Sequence, residues 1–160
     1  MSDAPHRNTA RVVEAAAAHG LHIEVSRFPE GTRTAEDAAA AIGCPVAAIV
    51  KSLVLACDEG PMLVLTSGSN LVDYGKVAQA LGAPGVRRAD AKEARTATGF
   101  PIGGTPPFGH ATVLRMLIDE DLLAHSRVWA AAGTPDTVFP IEPHLLRDIS
   151  GASPAAVSAG

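Results

Sequence analysis

Two features of this chain could do chemistry. One is Lys51, the only charged residue in the apolar run Val46-Ala-Ala-Ile-Val-Lys-Ser-Leu-Val-Leu-Ala56. An ammonium held among apolar side chains is costly unless something pairs with it. It is therefore a candidate partner for a carbonyl, carboxylate or phosphate oxygen; the alternative is a stem packed along a sheet with its head in water. The other is the stretch Thr98-Gly-Phe-Pro-Ile-Gly-Gly-Thr-Pro-Pro-Phe-Gly-His110, with four glycines and three prolines in thirteen residues. Glycine lets backbone approach a ligand and proline fixes its course. Such a loop suits backbone N–H groups at Gly103, Gly104 and Thr105 that hold a carbonyl oxygen as negative charge develops on it. Its alternative is a rigid turn. His110 closes the stretch as a general base, a hydrogen-bond donor or a plain loop histidine.

Other chemistries lack their residues. The sequence contains no G-x-x-x-x-G-K-[ST], no G-x-G-x-x-G opening a helix, no H-E-x-x-H and no G-x-S-x-G. His19 and His22 straddle a helix-ending glycine and read as a surface pair. Cys44 and Cys57 form no C-x-x-C or metal-type pattern and read as buried free thiols of a reducing compartment. No metal and no cofactor is expected. A net charge of −4 argues against broad electrostatic capture of nucleic acid. One basic cluster remains, Arg87, Arg88, Lys92 and Arg95, either a solvated face beside Asp90 and Glu93 or a set of RNA phosphate contacts. The N-terminal residues do not form a signal peptide and no segment is apolar enough to span a membrane. A soluble, cytoplasmic protein is expected, with no membrane or DNA partner.

The elements that must position Lys51 and the loop follow from periodicity and caps. Asn8 or Thr9 is a candidate cap for a helix to His19. Leu21 to Phe28 alternates as a half-buried strand. Thr34-Ala-Glu-Asp37 has the form of a capping box, with Ala35, Ala38, Ala39 and Ile42 on one helix face up to Gly43. Ile49–Ala56 and Met62–Thr66 read as an antiparallel hairpin, in which Ile49, Lys51, Leu53 and Leu55 share a face. Asp73 and Asp90 are candidate caps for helices ending at Gly82 and Gly99. Strands are expected over Thr112–Ile118, Arg127–Ala132 and Thr137–Ile141, a short helical turn over Glu120–Ala124, and a last helix from Pro143 to Ile149. The pattern predicts an α/β fold of α+β type, a mixed, largely antiparallel sheet surrounded by helices. One domain over residues 1–160 is expected, with its core at about 30–152 and a frayed tail from Ser153.

The chain resembles the YbaK/EbsC proteins, related to the editing insertion domain of bacterial prolyl-tRNA synthetase. The resemblance is carried by Ile49-Val-Lys51-Ser-Leu, by Val64-Leu-Thr-Ser-Gly68 with Asp73 and Lys76, by Thr98 to His110, and by Val128-Trp-Ala-Ala-Ala-Gly-Thr-Pro135. It covers roughly residues 30 to 152. It implies a mixed sheet with surrounding helices and a trans-editing hydrolase that cleaves the ester between a wrong amino acid and its tRNA, often tRNAPro, without a metal. Lys51 matches the family's functional lysine, and Gly103 to Pro107 match its GxxxP loop. The resemblance implies that Lys51, Gly103, Gly104, Thr105, Pro107 and His110 serve catalysis. It implies that Ser67, Gly68, Lys76, Phe108, Gly109, Gly133 and Thr134 contact substrate. The implied partners are the 3′ end of an aminoacyl-tRNA and prolyl-tRNA synthetase. A binding module or synthetase-associated adaptor using the same cleft without turnover is the alternative.

Overall fold

Helix starts follow the capping residues closely. The computed structural model describes residues 6–28 and 34–159. Thr34 and Asp37 exchange both bonds of a capping box at the start of α2 (Ala35–Ile42), and Asp90 and Glu93 do the same for α4 (Ala91–Thr98). Asp73 caps α3 (Tyr74–Leu81), and α5 (Pro143–Ser150) has its proline in the first turn. The first helix, α1 (Arg7–Ala17), starts before the expected Asn8 or Thr9, because the His6 ring accepts the Asn8 N–H at 3.0 Å.

A five-stranded sheet runs in the order β4-β2-β3-β5-β8, and a three-stranded sheet in the order β1-β7-β6. The hairpin of β2 (Val50–Cys57) and β3 (Gly60–Ser67) is as expected, with Lys51 opposite Thr66 and Leu55 opposite Met62. β4 (Arg87–Arg88) pairs antiparallel with β2 over only Leu55 and Ala56. β5 (Arg115–Asp119) lies parallel to β3. In the smaller sheet β6 (Val128–Ala131), β7 (Thr137–Ile141) and β1 (Ser26–Arg27) are antiparallel. A single parallel bridge, Ile49 to Trp129, joins the two sheets. The architecture is thus a mixed sheet system with helices around it.

Three expectations need correction. The strand over Leu21–Phe28 shrinks to two residues: Ile23 is buried as the alternation requires, but β7 offers partners only to Ser26 and Arg27. The strand over Thr112–Ile118 starts at Arg115, because Ala111 and Thr112 still bond the Thr98 and Ala97 carbonyls at the end of α4. The segment from Ser153 is not frayed. β8 (Ser153–Ala155) adds a parallel edge beside β5, Val157 is fully buried, and Ala159 N–H bonds the Leu71 carbonyl; Gly160 lies outside the described residues.

With few aromatics, the core is mostly aliphatic. Its main cluster fills the space between the sheets with Val12 and Ala16 of α1, Leu63 and Leu65 of β3, Ile118 of β5, and Leu146 of α5. The Gly/Pro loop is bolted into this cluster. Phe100 is fully buried, and Phe108 packs on Phe139 with ring centroids 5.6 Å apart. On the other face of the large sheet, Leu55, Met62 and Val64 pack against Val77 and Leu81 of α3.

Candidate active site

β2 is open along part of one edge, and the cleft lies there. Between the bridge at Ile49 and the two pairs with β4 no strand is hydrogen-bonded to it. Gly68 N–H bonds the Ile49 carbonyl toward β3, and Ala89 N–H bonds the Val54 carbonyl on the opposite side. Backbone direction alternates along an antiparallel strand, so Ser52, like Val54, turns its N–H and C=O away from β3 and into the opening. The resulting cleft holds about 380 Å³, within the range of small-molecule sites. Its floor is Val50 to Leu53. One wall is α2 with Ala35 and Ala38, the other the Ile102–Thr105 crest of the loop. Trp129, Pro135 and Val138 close the back and Arg88 stands at the lip.

Lys51 lies on this floor, half-buried. Its ammonium donates to the Asn70 carbonyl at 2.8 Å, leaving two further donors. Burial lowers its pKa, against which the nearby charges of Glu36 and Asp119 act. Asn70 is itself fixed. Its side-chain amide donates at 2.8 Å to both Asp119 and Asp121. Asp119 is fully buried and also takes the Thr66 hydroxyl, the Ser67 N–H and the Asp121 N–H. A buried carboxylate held by four donors thus sets the loop carbonyl that holds the lysine.

The loop opens with a turn in which Gly104 N–H bonds the Pro101 carbonyl at 3.1 Å. Gly103 occupies its third position at φ +89°, a place that favours glycine. The Thr105 hydroxyl donates to the same carbonyl. Gly104 N–H is therefore spent inside the loop, whereas the Gly103 and Thr105 N–H groups have no partner among the described residues. Gly104 itself faces Thr134: a Cβ there would lie 2.8 Å from Thr134 Cα. Thr134 follows Gly133, where a Cβ would meet the Asn8 backbone at 2.7 Å. Helix α1, the Gly133–Thr134 turn and the Gly104 turn are stacked backbone on backbone.

Lys51, Gly103, Thr105 and Arg88 meet at the cleft; the other expected residues do not line it. His110 turns inward and pairs through Nε2 with the Pro106 carbonyl at 2.7 Å, and burial lowers its pKa. That contact makes a neutral ring the N–H donor that fastens the loop. Pro107 and Phe108 are buried in the loop base, and Gly109 packs on Ala15. Ser67 bonds the Ala47 carbonyl through its hydroxyl, and Gly68 fits where a Cβ would lie 2.5 Å from the Val46 oxygen. Lys76 reaches the Ser158 carbonyl. Arg87 forms a two-pronged pair with Glu93, whose pKa it pulls down to about 2. Lys92 and Arg95 are exposed on α4. Cys44 and Cys57 are free and half-buried rather than buried, and burial pushes the Cys44 thiol up, away from thiolate. Among the described residues no three His, Cys, Asp or Glu side chains converge as a metal site would require, and no helix is long and apolar enough to cross a membrane.

Sequence reasoning missed Ser52, Ile102, Trp129 and Pro135. All four stand in the runs that carry the resemblance, but that Ser52 lines a cleft depends on the open edge of its strand, a property of the sheet.

Comparison with known proteins agrees with this fold. A crystal structure of a candidate trans-editing enzyme for prolyl-tRNA synthetase superimposes with a TM-score of 0.93 at 43% identity, covering 98% of this chain and 100% of that one. The proline–tRNA ligase of Nitratidesulfovibrio vulgaris is 30% identical over 129 residues, 81% of this chain but 21% of the ligase. The chain therefore spans about a fifth of that relative's length. The protein YwhH of Bacillus subtilis is 29% identical over 128 residues, 79% of this chain and 81% of YwhH. Residues 29–149 match the aminoacyl-tRNA editing domain, and the chain belongs to that family.

Proposed function

We propose that this protein is an aminoacyl-tRNA deacylase that removes a small wrong amino acid from tRNAPro in the cytoplasm, acting in trans beside prolyl-tRNA synthetase. The observation that carries the reading is that Lys51 lines one cleft with Gly103 and Thr105, whose N–H groups have no partner among the described residues. The aminoacyl ester enters with its carbonyl oxygen toward those amides. Water attacks the carbonyl carbon, and the amides stabilise the oxyanion. The bond from carbonyl carbon to ribose oxygen then breaks, and the ribose oxygen takes a proton released by the attacking water. Lys51 anchors an oxygen of the tRNA 3′ end, with Arg88 at the lip and Lys92 and Arg95 beyond it meeting phosphates. His110 holds the loop and transfers no proton.

The test is release of amino acid from tRNAPro charged with Ala, Cys, Ser, 2-aminobutyrate or Pro, by the native protein and by Lys51→Ala. Release of a non-proline residue that is lost in a folded Lys51→Ala supports the reading. Native rates in Lys51→Ala would remove the lysine from the mechanism. Absence of release from every member would leave a cleft that binds without cutting.

A further inference from the structure

Ser52 is divided between core and cleft. Its hydroxyl has essentially no accessible surface, and its side chain shares a strand face with the buried Val50 and Val54. The residue as a whole is nevertheless only half-buried, and it lines the cleft. The surface it offers there is therefore main chain, with no more of the side chain than Cβ. Strand alternation turns the Ser52 N–H and carbonyl away from β3. β4 reaches β2 only at Leu55 and Ala56, and the two Ser52 groups have no partner among the described residues. Main-chain groups open to a cleft take their partners from water or from a ligand.

Two observations say which ligand group suits the carbonyl. Among the described residues no acidic side chain lines the cleft, and its charged side chains are Lys51 and Arg88, both cations. A ligand amine therefore finds its acceptors there among carbonyl and hydroxyl oxygens rather than carboxylates. Ser52 and Thr105 also border one recess of about 20 Å³, so the two residues are neighbours. In an α-amino ester the amine nitrogen is two bonds from the carbonyl carbon. An ester that turns its carbonyl oxygen to the Thr105 N–H brings its amine beside the Ser52 main chain.

We infer that the Ser52 carbonyl accepts the α-amino group of the substrate, which makes Ser52 a positioning residue through its main chain. The inference rests on the deacylase reading of the cleft and names the acyl group it takes, one that carries a free α-amine. An acyl group with hydrogen in place of the amine leaves the carbonyl to water. A hydrogen bond from a charged donor corresponds to a preference of roughly ten- to a hundredfold for the amino acyl group. Holding the amine also fixes rotation about the bond from α-carbon to carbonyl carbon, and with it the face of the ester that water meets.

The experiment compares two non-hydrolysable probes, the alanyl and propionyl amides of 3′-amino-3′-deoxyadenosine, which differ only in the amine. Calorimetry gives their affinities. Triple-resonance NMR of the labelled protein reads the Ser52 carbonyl carbon through the Leu53 amide and the Asn70 carbonyl carbon through the Leu71 amide. The alanyl amide should bind roughly ten- to a hundredfold tighter and move the Ser52 carbonyl carbon downfield, while the propionyl amide leaves it in place. Equal affinities overturn the inference, and so does failure of both amides to bind. A preference with a shift at Asn70 and none at Ser52 overturns it too, because another carbonyl then takes the amine. So does the same Ser52 shift with both probes, which would assign its main chain to the adenosine they share. Release of alanine from Ala-tRNAPro beside equal affinities would sink this inference alone. The preference and the Ser52 shift without release from any charged tRNAPro would sink the deacylase reading and leave the Ser52 assignment standing.

Discussion

Asp119→Asn separates the support of the site from the site itself. The carboxylate accepts on both oxygens: Oδ2 takes the Thr66 hydroxyl at 3.2 Å, the Ser67 N–H at 3.1 Å and the Asn70 amide at 2.8 Å, and Oδ1 takes the Asp121 N–H at 3.0 Å. An asparagine brings one acceptor oxygen and one NH₂. Whichever way it turns, its NH₂ faces a backbone N–H, of Asp121 or of Ser67, and neither donor can move away. At least one charge-assisted bond is lost in a fully buried place, which costs about 1.5–3 kcal/mol. For a domain of this size that lowers Tm by roughly 3–12 °C. The functional effect travels through Asn70, whose carbonyl holds Lys51 at 2.8 Å. Thermal melts should show the loss, and deacylation kinetics at a temperature where the variant stays folded should show a fall in kcat/KM smaller than that of Lys51→Ala. An unchanged Tm would refute the claim that these four donors hold the Asp119 side chain in place. A lowered Tm with native kinetics would refute its link to Lys51.

Four further outcomes are expected. Gly104→Ala forces a Cβ to within 2.8 Å of Thr134 Cα and should destabilise the fold by about 1–3 kcal/mol, read as a lowered urea midpoint; an unchanged midpoint would mean that the two turns are not tightly stacked. The His110 pKa is lowered in the folded state, so the unfolded chain takes the proton first. Its contribution is therefore full above the ordinary value of 6.5 and is lost as pH falls through the folded value. His110→Gln keeps a donor for the Pro106 carbonyl but cannot titrate, and should flatten the fall in Tm between about pH 7 and 5 relative to the native protein. Arg88→Ala should weaken tRNA binding and reduce its salt dependence, whereas Arg87→Ala should do so less, because Glu93 already engages Arg87. Ser52→Ala should not lower Tm, since it removes a buried hydroxyl that has no partner among the described residues.

Local signals were legible wherever they act locally. Thr34 with Asp37, Asp73 and Asp90 mark helix starts because a side chain bonds an N–H three residues away, and Gly43, Gly82 and Gly99 mark the ends because they adopt positive φ. The hairpin of β2 and β3 was legible from its apolar runs and its turn. Lys51 and the Gly/Pro loop stood out by composition, and the fold brings both to one cleft. What could not be read depends on long-range partners. Val157 anchors a segment of small residues that reads as a loose end until α3 is seen beside it. Gly104 reads as a place for substrate until Thr134 is found against it, and Phe108 reads as pocket lining until Phe139 covers it. Asp119 drew no attention because nothing in the chain announces that Asn70, forty-nine residues away, will need its oxygen.

The opening in β2 also bears on how the protein keeps apart from its own copies. An unpaired strand edge is a template on which another chain can add itself and begin aggregation. Here the unpaired stretch is stopped at one end by the Trp129 bridge and at the other by β4, which leaves Val50 to Leu53, roughly 13 Å of edge. That is shorter than the usual strand of about five or six residues, and α2 and the Gly/Pro crest rise on either side of it. That leaves too little free edge for an extended foreign segment to pair along it. Keeping β4 to two residues and the bridge to one pair therefore sets two limits together. A longer opening would invite self-association, and a shorter one would close the cleft.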